Sequence, residues 1–280
     1  MLNTALPQTE SRESLHQMLH GRPLAEAIED AMGKIQRQPA SVRLRWLLFQ
    51  LLCINGDWIR AIKQLQVWAS LSTDHLRTAQ VMRELLRAEA YRCEVFKGAK
   101  EPGWLDAPDA WSTRLAEANV AMAAGDFPRA DPLRSAALDD APASAGHANP
   151  GEAFNWITDS DTRLGPHCEL YFSGGYRWVP FSRIARLSFP PVQEALDLIW
   201  RQCKVTLCDQ TELSAYMPAR YPVSRDDDDA IKLATVTRWT DHGDTTVAGA
   251  GQRTWTTDAG EIAMLSVLSM HVEGQTVECE

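Results

Sequence analysis

Between Val42 and Ile54 the chain is densely apolar, and Leu44, Leu47, Leu48, Leu51 and Leu52 recur at the spacing of one helix face. Asn55-Gly56 ends that helix, because a glycine takes up the left-handed conformation of a helix C-terminus without strain. Asp57 is placed to cap a second helix with the stripe Trp58, Ile62, Leu65 and Ala69, so the pair predicts an antiparallel αα-hairpin. A longer helix is predicted over His75 to Lys97, stopped by Gly98 and Pro102. Its Arg83, Glu84, Arg87, Glu89, Arg92 and Glu94 are spaced for three- and four-residue ion pairs and read as a solvated face.

The hairpin recurs. Gly56-Asp57-Trp58-Ile59-Arg60-Ala61 aligns with Gly125-Asp126-Phe127-Pro128-Arg129-Ala130 at an offset of 69 residues, and a degenerate copy ends one helix at Gly21, opens the next at Pro23 and places Ala27 34 positions before Ala61. Pro39 and Pro142 each follow twelve residues after the small packing residue of their copy, whereas Thr73 stands there in the middle copy. A period near 34 with a turn glycine, a small contact residue and a closing proline is the signature of tetratricopeptide-type (TPR) hairpins.

From Asp140 to Gly151 the chain is rich in Ala, Pro, Gly and Asn without hydrophobic period, which predicts a linker at 141–151. The division is then 1–140 helical and 152–280 β-rich, with few contacts between the halves. Beyond the linker, Glu169 to Phe172 and Tyr176 to Val179 flank Ser173-Gly174-Gly175 as a β-hairpin. Further strands are expected at Lys204 to Leu207, Leu213 to Met217, Ala234 to Trp239, Gly251 to Thr256 and Glu261 to Met270. One helix, Val192 to Arg201, is expected among them. The fold class is thus two-domain α + (α+β), with TPR-like antiparallel hairpins followed by a small barrel or curved sheet.

Charge narrows the function. The net charge is -9, with 17 basic and 18 acidic groups in residues 1–140 but 11 and 19 in 141–280. An acidic back half without a basic run disfavours nucleic acid and anionic membrane surfaces. Met1 to Gln17 is polar and carries Glu10 and Glu13, unlike an export signal, and the nine-residue apolar stretch Trp46 to Ile54 is too short to span a bilayer; a cytoplasmic protein is expected. Six cysteines, at 53, 93, 168, 203, 208 and 279, lack CxxC spacing and read as reduced thiols, and His167, Cys168, Cys203 and Cys208 fit no common zinc site.

No GxSxG, HExxH, Walker A or strand-linked GxGxxG motif is present, so no catalytic, cofactor or metal residue is assigned. Gly249-Ala250-Gly251 reads as a turn or bulge, and Asp226 to Asp229 as a solvated loop. Asp159, Asp161, His167 and Glu169 form an acid–base set on paper, but in a turn-rich segment such residues ordinarily cap or solvate the chain.

Several blocks carry a resemblance. The run Val42 to Cys53 followed by Gly56-Asp57-Trp58, then Arg83-Glu84, Arg92 to Gly98, Asp159 to Pro166, Val179 to Ile184, Pro218 to Pro222 and Gly249 to Gln252, together resemble the ImpE family, also called TagJ or SciE, over about residues 15–270. Cys208-Asp209-Gln210-Thr211 departs from the glycine-containing turn expected there. The resemblance implies a non-enzymatic accessory adaptor of the type VI secretion system that binds an N-terminal helix of the sheath protein TssB, with a link to the ClpV ATPase. Trp46, Trp58, Arg83 and Arg87 are the candidate partner-binding residues, since Trp and Arg dominate binding hot spots. The alternative is a small-ligand-binding or hydrolytic enzyme using the back half, and a third possibility is a purely structural scaffold.

Overall fold

The computed structural model describes residues 21–273; the polar start Met1 to Gln17 and Cys279 lie outside the described residues. The helices are α1 (Leu24–Arg37), α2 (Val42–Ile54), α3 (Trp58–Ser70), α4 (Leu76–Phe96), α5 (Ala110–Ala123) and α6 (Phe127–Asp140). Neighbours pack in sequence as antiparallel pairs, α2 with α3 and α5 with α6. The repeated motif has one local geometry in both copies. Gly56 and Gly125 have φ of 70° and 77°. Asp57 Oδ1 accepts from the Arg60 amide at 3.2 Å, and Asp126 Oδ1 from the Arg129 amide at 3.3 Å. Ala61 and Ala130 are fully buried and Ala27 is 3% exposed, as expected where two helix backbones touch.

The back half is built on an open antiparallel sheet of eight strands in the order β2-β1-β13-β6-β7-β8-β4-β5. These are β1 (Gly146–Asn149), β2 (Ala153–Phe154), β4 (His167–Phe172), β5 (Gly175–Pro180), β6 (Ile184–Ser188), β7 (Trp200–Leu207), β8 (Glu212–Pro218) and β13 (Ser269–Val272). A second sheet, β12 (Gly260–Ala263), β11 (Thr254–Thr257) and β3 (Ile157–Asp159), packs on one face, with Phe181 and Trp255 edge-to-face at 5.4 Å in the core between them. A hairpin of β9 (Thr237–His242) and β10 (Thr246–Gly251) completes the half. The sheet does not close, so the barrel alternative is corrected to an open sheet. One edge, β2, is two residues long; the other, β5, is partly covered where Gly103 pairs with Arg177 and its carbonyl accepts from the Trp178 amide at 2.9 Å.

Period-two alternation on β4 decides what meets the helices. Cys168 and Leu170 face the second sheet, while Tyr171 joins Tyr176 and Trp178 in the cluster that continues into the helical half. Toward β7, β6 and β13 the same outer face carries Gln202, Lys204, Arg186 and His271, all exposed. The helices therefore cover only one end of the sheet.

Val192 to Arg201 is not a helix: Ala195–Leu198 forms a 3-10 turn packed on α2, and Trp200 opens β7, paired with Pro218 of β8. Its apolar residues serve two neighbours rather than one helix face. The short helix of this half is α7 (Asp229–Lys232), capped by Asp228, whose Oδ1 accepts from the Ile231 amide at 3.1 Å; Asp228 of the acidic run is thus structural. Segment 141–151 contains β1, whose small residues Gly146 and Ala148 point inward while its backbone pairs with β13. Contacts between the halves are extensive, because one hydrophobic cluster runs from α1–α4 through Tyr171, Trp178 and Trp200.

Gly249-Ala250-Gly251 is the end of strand β10 rather than a turn. Gly249 is required there because a β-carbon would overlap the Tyr221 ring. Ala61→Leu and Ala130→Leu should each cost about 1 to 3 kcal/mol in urea unfolding by overpacking a closed helix contact. An unchanged midpoint for both would contradict the contact.

Candidate functional site

A chain of charged and aromatic side chains closes the junction between the halves. Arg92, from the last turns of α4, donates through Nε to Glu169 Oε1 at 2.7 Å and through Nη2 to Glu169 Oε2 at 2.8 Å. Its Nη1 reaches Glu89 Oε1 at 3.2 Å, and Nη2 also reaches the Arg220 carbonyl at 3.1 Å. Glu89 accepts from Trp200 Nε1 at 3.0 Å and from the Tyr171 hydroxyl; Glu169 accepts from the Tyr176 hydroxyl. Burial pushes Glu89 up, but Arg92 and these donors outweigh it and hold the carboxyl below its ordinary range. Arg220 spans the junction in the other direction, donating to the Ile54 carbonyl at 2.8 Å and the Cys53 carbonyl at 3.0 Å, where a cation meets the negative end of α2.

The acid–base set is wholly buried and already paired. Asp161 pairs with Arg163, Glu169 with Arg92 and Arg253, and Asp159 with Arg253 at 3.5 Å and the Tyr221 hydroxyl at 2.9 Å. Arg253 faces both carboxylates as ion pairs without hydrogen-bond alignment to either. Ser112 Oγ lies 2.9 Å from His167 Nε2, and His167 Nδ1 lies 2.8 Å from the Leu164 carbonyl. This has the spacing of a nucleophile–base pair, yet both residues are fully buried, and Trp104, Trp111 and Trp178 surround the imidazole. The bond ties α5 to β4. Among the described residues no group of three or more His, Cys, Asp and Glu could hold a metal ion.

Where helix cover of the sheet stops, a groove of about 190 Å³ opens between α4 and the strands. Thr78, Val81 and Leu85 form its helix wall, and Gln202, Ser214 and Tyr216 its sheet wall.

Comparison with known proteins places these features. The family model "ImpE protein" matches residues 151–271. The type VI secretion system accessory component TagJ of Pseudomonas aeruginosa is 36% identical over 259 residues, covering 92% of this chain and 90% of TagJ. The chain belongs to the ImpE family. A crystal structure of a Vibrio parahaemolyticus protein shares the fold, with a TM-score of 0.83 and 25% identity, covering 94% of this chain and 97% of that one.

In this ImpE-family protein the junction is shared between the matched segment, which holds Glu169, Arg220 and Arg253, and α4, which lies outside it. The four candidate partner residues separate. Trp46 is buried against Phe49 and Trp68, at ring distances of 5.1 and 4.6 Å, and Trp58 is half-buried, stacked on Trp200 at 5.8 Å. Arg87 is exposed and Arg83 half-buried. At 100° per residue the two arginines share a face of α4 across from the groove wall of Thr78, Val81 and Leu85. Glu89 and Arg92, read from spacing as solvated, are instead buried at 3% and 1% exposure. Arg92 was marked only by the Arg92 to Gly98 block and Glu89 by nothing in the sequence; pair spacing alone is the same for a surface and a buried pair.

Arg92→Met should lower stability by about 3 to 5 kcal/mol in urea unfolding, because two buried carboxylates lose their shared cation. A loss below about 1 kcal/mol, the scale of an exposed pair, would contradict the network. Burial raises Asp159 to about 6 and holds His167 down at about 4. Raised in the folded state, Asp159 adds stability at low pH that is lost as pH rises through about 6; His167 opposes this, adding stability as pH rises above about 4. Asp159→Asn removes the first contribution, so its melting temperature should fall more steeply than that of the unchanged protein on acidification from about 6 to about 4. Parallel curves would contradict the assignment.

Proposed function

We propose that this protein is a non-enzymatic accessory component of a type VI secretion system, working in the cytoplasm as an adaptor. Its 36% identity to TagJ over 92% of the chain carries this reading. Within it, the protein captures the N-terminal helix of the sheath protein TssB and links the sheath to the ClpV ATPase. Stacked helical hairpins of the TPR type are suited to helical or extended ligands, and an amphipathic helix binds a groove through residues at helical spacing. The groove beside α4 supports this best: it is walled by a helix and a sheet, and Val81, Leu85 and Ala88 supply apolar contact.

Titration calorimetry of the full chain with a synthetic peptide of the cognate TssB N-terminal helix should give a dissociation constant on the order of micromolar, near -8 kcal/mol. Val81→Glu with Ser214→Arg should weaken binding roughly ten-fold or more, and Arg83→Ala with Arg87→Ala tests the other face of α4. No binding to the full chain would sink the adaptor reading; loss confined to the arginine variants would move the site across the helix.

A further inference from the structure

A second recess lies away from that groove. After Gly98 ends α4, the chain crosses the edge of β5 through the Gly103 pairing and enters α5 at Ala110. Between this strap and the ends of β5 and β7 is a cavity of about 310 Å³, and a smaller one of about 120 Å³ adjoins it. Trp104, Pro108 and Trp178 line both, so two indoles and one proline lie between two compartments of a single cleft. Leu105, Val179, Pro180 and Leu207 continue the apolar wall on one side, and Pro102 and Val120 on the other.

The charge around this apolar floor is predominantly negative. Asp106, Asp109 and Asp209 border the larger compartment, Glu101 and Glu117 the smaller. The cations there are Arg183 and Lys100, and Arg183 already pairs with Asp109 at 3.5 Å. A pre-formed apolar cleft attracts a partner by burial, and its uncompensated carboxylates select one with cations beside the buried residues. Grooves lined by aromatic and proline side chains accept extended, proline-containing chains, whose stiff backbone loses little entropy on binding. Two adjoining compartments suit successive side chains of such a chain. The half-buried Trp104 indole, resting on the buried Trp178, and the carboxylates also suit Arg, whose guanidinium stacks on aromatic rings.

We infer that the Trp104–Trp178 cleft binds an extended, proline-containing peptide segment flanked by arginines. It stands independently of the groove beside α4 and gives the protein a second docking site, facing a different partner segment.

Fluorescence anisotropy with the full chain and two labelled decapeptides tests this, both with a Leu-Pro-Pro-Leu core, one flanked by arginines and one by glutamates. The arginine-flanked peptide should bind, more weakly at high salt, and Asp106→Arg with Asp209→Arg should weaken it roughly ten-fold or more while admitting the glutamate-flanked peptide. Both positions are exposed, so the variant should fold. The groove variants Val81→Glu and Ser214→Arg should leave this binding unchanged. Bound peptide should slow iodoacetamide alkylation of Cys208, which lines the cleft, and not of Cys93, which does not. Equal binding of the two peptides, no binding at millimolar concentration, or unprotected Cys208 would overturn the inference.

Discussion

The two-pronged bond from Arg92 to Glu169 is the constraint to which the rest of the junction conforms. Taking a guanidinium and a carboxylate out of water costs several kcal/mol per ion and is tolerated only when the remaining donors and acceptors are also met. Glu89, Tyr171, Tyr176, Trp200 and the Arg220 carbonyl supply that completion, and they come from α4, β4, β5, β7 and the loop after β8. Satisfying one pair therefore fixes five segments at once. Trp58 stacked on Trp200 and Arg220 on the end of α2 repeat the arrangement with different chemistry.

The helical half was largely legible in the sequence because its signals are local. Leu44 through Leu52 at helical spacing, Asp57 and Asp126 as caps and glycines at the turns each act within a few residues, and the structure has α2, α3 and α6 there. The β4–β5 hairpin was legible for the same reason, with Ser173 and Gly174 both at positive φ in its two-residue turn. What local pattern could not supply was the destination of a side chain. Arg92 and Arg87 are alike in spacing, yet one is in the core and the other in water. Val192 to Arg201 looked helical, whereas strand pairing with β8 and packing on α2 divide its apolar residues. Family resemblance added what periodicity could not, by marking blocks such as Arg92 to Gly98 and Asp159 to Pro166 without assigning their partners.

The candidate site was legible only in part. Trp46 and Trp58 were recognisable as anchors, but they anchor the protein's own packing. The groove beside α4 and the cleft under Trp104 are made by residues far apart in sequence, Val81 with Ser214 and Trp104 with Leu207, so no window of the chain contains either.

The edges of the eight-stranded sheet bear on how copies of this protein meet. An open sheet is a template for strand addition, and unguarded edges lead to end-to-end growth. Here β2 offers two residues and β5 has the Gly103 strap across it. Neither edge therefore presents a long run of unpaired backbone on which a second copy could continue the ladder, and self-association through the sheet is blunted at both ends by the fold itself.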